Sequence, residues 1–310
     1  MKVFIPNEMS VPALQHLLQS AIGPRPIAFA STMNKAGDVN LSPFSFFNIF
    51  SANPPVLIFS PARRVRDNTT KHTLDNVLVH PEVVINVVNY AIVQQMSLAS
   101  TEYAEGVNEF VKAGLTELPS TLVKPPRVKE SPVQFECSVS NVVALGDQGG
   151  AGNLVICKVL AIHVHDEILD EKGHINQNRI DLVARLGGNW YCRASGNALF
   201  EVEKPLQTLG IGVDQLPDGI RFSPVLTGNH LGQLANVEQL PHQDLVNEFK
   251  SSEEFDLLMN SVNASDFASH RAAAQLLNQG EVIKAWLVPL LKLFRQNRPH
   301  SKHTKYCAMH

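Results

Sequence analysis

Residues 63–76, RRVRDNTTKHTLDN, gather the residue types that hold an anion. Arg63, Arg64, Arg66 and Lys71 can neutralise phosphate, and Thr69, Thr70 and Thr73 can donate hydroxyls to its oxygens. The run follows the apolar segment PPVLIFS at 54–60, so the cations stand where a strand ends. A solvated loop of the same composition is the competing reading, because loops are polar in any case. A second concentration of polar atoms is less expected. In RPIAFASTMNKAGDVNLSPFSFFNIFSANPPVLIFS, residues 25–60, Ser31, Thr32, Asn40, Ser42, Ser45 and Asn48 are interleaved with the most apolar residues of the region. A plain β-core would leave those atoms on the solvent face. The pattern asks instead for hydrogen bonds in a mostly apolar setting.

Other stretches carry weaker chemistry. GDQGGAGN at 146–153 is glycine-rich but lacks the Lys-Ser/Thr of a phosphate-binding P-loop, and it lies between two strand patterns rather than before a helix. It reads as a hairpin loop. In HVHD, His163 and His165 would share one face of a strand and could meet one metal ion, but no neighbouring residue completes a ligand set. In RLGGNWYC, residues 185–192, Gly187 and Gly188 allow close backbone approach, and Trp190 and Tyr191 could cover an aromatic ligand or simply pack. There is no GxSxG elbow, no HExxH pair and no GxGxxG after a strand, so hydrolase, zincin and dinucleotide-fold readings lack support.

The elements that must position these residues are mostly strands. Residues 26–32 and 39–47 flank MNKAGD, whose Gly37 and Asp38 supply a hairpin turn, and Pro43 marks a bulge or an edge in the second arm. Residues 54–60 and 82–89 read as further strands, with a short helix between them stopped by Pro81. Apolar spacing predicts two short helices over 91–114, ending at Gly114. VQFECSVSNVVALGD and LVICKVLAIHVHDEIL read as long strands joined by the glycine loop. After residue 195 the texture changes to loops and short helices. From Leu245 helical stripes dominate: Leu257, Leu258 and Val262, then Ala273, Leu276 and Leu277, then Ile283, Trp286, Leu287 and Leu290. Ser265 and Asp266 offer N-caps for the second stripe, and Pro289 a kink in the third. Helices this short must pack on something, so the stripes are expected to dock on the strand-rich domain or on a partner subunit.

Composition sets outer bounds. With 310 residues, 44% hydrophobic and 18% charged, the chain can fill one large or two modest cores. A net charge of −3 with both signs dispersed gives no nucleic-acid footprint. Cys137, Cys157, Cys192 and Cys307 form no CxxC pair and read as reduced thiols, with Cys137 and Cys157 as small core residues. MKVFIPNEMS lacks the apolar core of a signal peptide and no apolar run reaches membrane-spanning length, so a cytoplasmic protein is expected.

The combination of motifs resembles the flavin reductase-like, FMN-binding split-barrel family. The long 25–60 segment is similar to that family's opening: an Arg-Pro-Ile-Ala strand, a Gly-containing turn, Asn-x-x-Pro-Phe-Ser-x-Phe and a Pro-Pro strand. TKHTLDN looks like the family's Lys-Asp-Thr-x-x-Asn segment, with His72 where Asp is usual; the likeness continues through SPVQFECSV and GNLVICKVLAIHV to RLGGNWY. The resemblance implies a mainly β fold: an FMN-binding split β-barrel with short helices over residues 1–195, followed by a mostly helical C-terminal extension over 196–310. It implies FMN as cofactor, with Ser31 and Thr32 near the ribityl chain or ring, Asn40, Ser42, Ser45 and Phe46 lining the isoalloxazine, and Arg63, Arg66, Lys71 and Thr73 holding the phosphate. It further implies a homodimer, with NADH or NADPH as hydride donor and a small molecule or flavin as electron acceptor. A non-catalytic FMN-binding protein or electron carrier is the alternative, and a metal enzyme built on His163 and His165 a more distant one. The resemblance gives no guide to the C-terminal extension.

Overall fold

The computed structural model describes residues 1–202, 204–205, 209–261 and 267–296. The chain divides into two compact units, Met1–Phe200 and Glu201–His310.

The first unit is built on strands β1 (Ala28–Met33), β2 (Val39–Phe44), β3 (Phe47–Ala52), β4 (Pro55–Phe59), β5 (Glu82–Val87), the short pair β6 (Glu117–Leu118) and β7 (Arg127–Val128), the long β8 (Val133–Ala144) and β9 (Asn153–Val164), and a final hairpin, β10 (Leu182–Arg185) and β11 (Tyr191–Ala194). Helix α1 (Val11–Ala21) precedes the strands, α2 (His72–Val79) connects β4 to β5, α3 (Val93–Ala99) and α4 (Glu109–Ala113) follow β5, and a single helical turn, α5 (Gln177–Ile180), precedes β10. Seven strands form one antiparallel sheet in the order β2-β1-β5-β8-β9-β4-β3. The mainly β expectation therefore holds, and so do the 26–47 hairpin, the helix before Pro81 and the helix ending at Gly114, whose φ of 66° gives α4 its left-handed C-cap.

The second arm of that hairpin is shorter than the sequence suggested. It stops at Phe44, bends through Ser45 and Phe46, and restarts as a separate strand at Phe47. The bend has a large consequence. Laid flat, the edge strands β2 and β3 would stand six strand spacings apart, about 29 Å. The chain joins them with two residues, a reach of at most about 11 Å. The sheet must therefore curl until its two edges meet at Ser45–Phe46. The ladder does not close across that seam: β2 and β3 remain edges, so the barrel is split. Pro43, with no N–H to donate, sits in the edge strand β2, and β3 carries a register shift between Ile49 and Ser51.

Side-chain alternation divides the core over the two faces of the curled sheet. Ala28, Ala30, Val83, Ile85, Phe59, Cys137 and Cys157 pack with Leu74 and Val77 of α2 on one face. Phe29 and Leu41 pack with Met96, Ala99, Phe110 and Val128 on the other. Both faces of β5 are covered, which is why Val83, Val84 and Ile85 follow one another without polar alternation. Burial raises the Cys137 thiol to about 12 and the Cys157 thiol well above its ordinary value, so both are inert core groups.

The second unit is helical: α6 (Asp218–Arg221), α7 (Gly228–Ala235), α8 (Gln243–Lys250), α9 (Glu253–Ser261), α10 (Ala268–Asn278) and α11 (Val282–Gln296). Its own core joins Leu234, Val246, Phe249, Ala273, Leu276, Leu277, Trp286, Leu287 and Leu290, and the Trp286 indole donates to the Leu234 carbonyl at 2.9 Å. The stripes of α10 and α11 thus pack on each other and on α7 and α8, where the sequence had suggested the strand-rich domain or a partner. Leu257 and Ile283 are exposed, and α11 stays helical through Pro289. Val262 and the expected caps Ser265 and Asp266 lie outside the described residues.

Candidate functional site

A cleft of about 470 Å³ opens where the two edges of the sheet meet. One wall is the end of β2 and the bend after it, Ser42 to Phe46, with Ser60 beyond β4. The other is the loop Ala62–Arg66 with Lys71, Ser100 and Glu102; Gln15 and Gln19 of α1 complete the lining. The volume lies within the range of small-ligand sites, and the lining combines hydroxyls, proline and aromatic surface with a concentration of cations.

The cationic loop is held on three sides. At its start, Asn153 donates to the Ser60 hydroxyl and the Pro61 carbonyl. Along its flank, Arg63 N–H donates to Ala151 O at 2.8 Å and Gly150 N–H to Arg63 O at 3.0 Å. A Cβ at Gly149 would stand 3.0 Å from the Arg64 and Val65 carbonyls, so this glycine permits the close backbone contact. The stretch GDQGGAGN is thus a hairpin loop, as read, and also the buttress of the cations. Internally, Arg63 donates to the side chain and the carbonyl of Asn68, each at 2.7 Å, while Arg64 donates to Thr69 and Thr70. Asp67 accepts from the Thr69 hydroxyl and amide, which, with Arg66, hold its carboxyl well below the ordinary range.

Four charges meet at the cleft. The Glu102 carboxylate stands 3.1 Å from Arg64 Nε, 2.5 Å from an Arg66 terminal nitrogen and 3.5 Å from Lys71 Nζ. Hydrogen bonds from Arg64 and then Arg66 lower its pKa, so it is an anion at neutral pH. Hydrogen bonds to Asp67 and Glu102 raise that of Arg66.

Of the ten residues that the resemblance assigned to the cofactor, the cleft brings together Ser42, Ser45, Phe46, Arg63, Arg66 and Lys71. The remaining four lie behind it, tied into the fold. The Ser31 hydroxyl donates to the Pro126 carbonyl, and Thr32 accepts from Asn76 at 3.0 Å. The Thr73 hydroxyl donates to Asn40 Oδ1 at 2.8 Å, and Asn40 Nδ2 donates to the buried Glu109 at 2.8 Å. Glu109 also accepts from the Leu41 amide, so it fixes β2 just before the cleft wall; burial raises its pKa, against those hydrogen bonds. His72 opens α2, whose first turn takes its negative charge from Asp75, itself hydrogen-bonded by the Thr70 hydroxyl.

Gln15, Gln19, Arg64, Ser100 and Glu102 were not carried into the sequence-based site. Helix α1 did have a signal, since Ser10 caps it and Pro12 stands in its first turn. Arg25, from the Arg-Pro-Ile-Ala motif, accounts for its placement by donating to the carbonyls of Gln19, Ile22 and Leu186. Gly187 adds a close approach to Ser20, leaving no room for a Cβ. The other suggested sites resolve locally. His163 Nε2 lies 2.7 Å from buried Glu136 and His165 faces Glu167; among the described residues no three metal-ligating side chains converge. Trp190 is 76% exposed at a hairpin tip, and Tyr191 packs under Arg185.

The sequence profile of the family described as "Flavin reductase like domain" matches residues 22–180. An uncharacterized protein of Aquifex aeolicus is 39% identical over 199 residues, 64% of this chain and 99% of its own. The nitrilotriacetate monooxygenase component B of Bacillus cereus superposes with a TM-score of 0.61 at 29% identity, covering 65% of this chain and 98% of that one. A Shewanella frigidimarina protein assigned as a flavin reductase with a split barrel domain gives a TM-score of 0.54 at 26% identity, covering 64% of this chain and 95% of that one. The remaining third of this chain has no counterpart in these three.

Proposed function

The chain belongs to the flavin reductase-like family, and we propose that it is an FMN-dependent oxidoreductase that draws hydride from NADH or NADPH and delivers electrons to a small-molecule or flavin acceptor. The observation that carries this reading is the cleft at the seam, where a wall of hydroxyls and aromatic surface faces a buttressed cationic loop. That donor set suits a ligand with a flat, polar-edged ring at one end and a phosphate at the other. When bound, FMN supplies hydride acceptance and electron release, and the protein's part is to bind, orient and tune it.

In this reading Ser42, Ser45 and Phe46 lie along the ring, and Arg63, Arg66 and Lys71, with Arg64, hold the phosphate. Asn40 and Thr73 act from behind, fixing the wall and the start of α2 through Glu109. Ser31 and Thr32 tie β1 to the Pro126 carbonyl and to Asn76 of α2. The flavin domain is taken to end near residue 195, with 196–310 as an extension.

A homodimer accompanies the proposal. Edge strand β3 exposes Ile49 and Phe50, each to 64%, beside Phe46, an apolar rim that a second copy would cover. Among the described residues no helix is long and apolar enough to cross a membrane. We assign the protein to the cytoplasm, where its cysteines would stay reduced.

The test is a visible spectrum of the purified protein with and without added FMN, followed by anaerobic addition of NADH or NADPH. Bound flavin that bleaches on a turnover timescale is expected. A colourless protein that ignores added FMN overturns the proposal, and bound FMN that never bleaches leaves the electron-carrier alternative. Sedimentation of the full chain checks the dimer.

A further inference from the structure

We propose that Glu102 is a built-in competitor for the phosphate end of the ligand: its carboxylate and a ligand phosphate take turns on Arg64, Arg66 and Lys71. The inference rests on the cleft being a phosphate-bearing ligand site; for FMN in particular it rests on the reading above.

Both carboxylate oxygens are engaged, one by Arg64 and Lys71, the other by Arg66. This is the contact set a phosphate would make with the same three cations. Arg63, the fourth cation of the loop, is bonded to Asn68 rather than to Glu102, so it stays available to a phosphate without being part of the exchange. Glu102 lies in the connection between α3 and α4, outside helix and strand, so the residue can move without breaking a ladder or a helical turn. Its side chain is 37% exposed and that of Arg66 is 67% exposed. Exposed ion pairs of this kind contribute little and are readily exchanged. A phosphate, with more charge and more acceptor oxygens than a carboxylate, displaces it, whereas a ligand without phosphate leaves it in place.

Glu102 therefore has two effects. It keeps three like charges from repelling one another while the cleft is empty of ligand, and it lowers the affinity for phosphate-bearing ligands relative to phosphate-free analogues. Loading of the cleft is coupled to the α3–α4 connection, which moves away as phosphate enters.

The experiment compares the full-length protein with Glu102→Gln, Glu102→Ala and Glu105→Gln. Glu105 is an exposed carboxylate of the same connection and serves as a control for net charge. Dissociation constants for FMN and riboflavin come from flavin fluorescence, and that for inorganic phosphate from calorimetry. Both Glu102 variants are expected to bind FMN and inorganic phosphate roughly tenfold more tightly than wild type, with riboflavin and the Glu105 variant unchanged. Unchanged or weaker phosphate binding in the Glu102 variants overturns the inference, because Glu102 would then brace the cations rather than compete for them. Equal tightening in Glu105→Gln also overturns it, by reducing the effect to overall charge. If no variant binds either flavin while inorganic phosphate still tightens in the Glu102 variants, the flavin reading falls and the competition stands.

Discussion

The two units of this chain meet the same requirement, a buried interior without unpaired backbone, by different means. In the helical unit the hydrogen bonds of the backbone are largely made within each helix, so the core needs little but apolar stripes; His230 and Ser269 are its only buried polar residues among those described. In the sheet unit many buried polar side chains serve loops and edges. Glu136 accepts from the amides of Thr121 and Leu122, and Glu109 from that of Leu41. Asn86 donates to Phe29 O and accepts from Val128 N, while Ser131 donates to Val87 O. A curled sheet with a seam leaves loop amides that no ladder reaches, and side chains must reach them. The cleft lies at that seam. Its hydroxyls and cations occur where regular pairing stops, which is why the candidate chemistry belongs to this unit.

The contrast can be broken most sharply in the helical core. Trp286→Ala removes a fully buried ring and orphans the Leu234 carbonyl, and should cost about 3–5 kcal/mol, lowering the urea midpoint of the helical signal at 222 nm. FMN affinity should stay near that of wild type; a large loss would mean that the two units are energetically coupled. Next in size is Lys71→Ala, which takes one cation from the cleft. Loss of a charge-assisted contact of roughly 1.5–3 kcal/mol should weaken FMN binding tenfold to a hundredfold and leave riboflavin binding unchanged. Equal FMN affinity in both proteins would remove Lys71 from the phosphate site.

A smaller effect concerns the buried polar ties. Burial opposes ionisation of Glu136, but the Thr121 and Leu122 amides and His163 outweigh it, and its folded pKa is depressed. Its contribution is therefore full above the unfolded value of about 4.3 and is lost as pH falls through the folded one. The urea midpoint of wild type should exceed that of Glu136→Gln at pH 7, and the gap should narrow as the pH drops below about 4. A gap independent of pH would show that the carboxylate charge is not what holds the 121–122 amides. Glu109 has the opposite sign: burial raises its pKa, so its contribution declines as pH rises through the folded value. The smallest change is expected from truncation after residue 200. Because the helical stripes are covered within their own unit, the fragment should stay soluble and bind FMN as the full chain does. A fragment that precipitates or loses FMN would give the extension a part in the site.

What could be read in the sequence was local. Gly37 and Asp38 between two apolar runs specified the β1–β2 hairpin, Pro81 ended α2, Gly114 ended α4, and the cations of residues 63–71 announced themselves by type and spacing. Each depends on backbone preference or charge within a few residues of chain. The change of texture after residue 195 was equally visible, since helical and strand periodicities differ. The helical stripes were visible too, but not their partners, because an apolar face does not state what covers it.

Tertiary structure decided the rest. That β2 and β3 are opposite edges of one sheet, brought together by a two-residue bend, follows from the strand order, and strand order is not a local property. The β3–β4 pairing, extended by Ser60 N–H donating to Phe46 O, sets the bend against the start of the cationic loop, and only the fold turns Asn40 and Thr73 toward Glu109 instead of the cleft. Glu102 is the clearest case. It is 38 residues from Arg64 and 36 from Arg66, in a stretch with no motif, yet it shares the cations most plainly announced by the sequence. Residue type fixes which charges a chain carries. Which of them meet depends on closing long loops, and that is determined by the packing of the whole sheet.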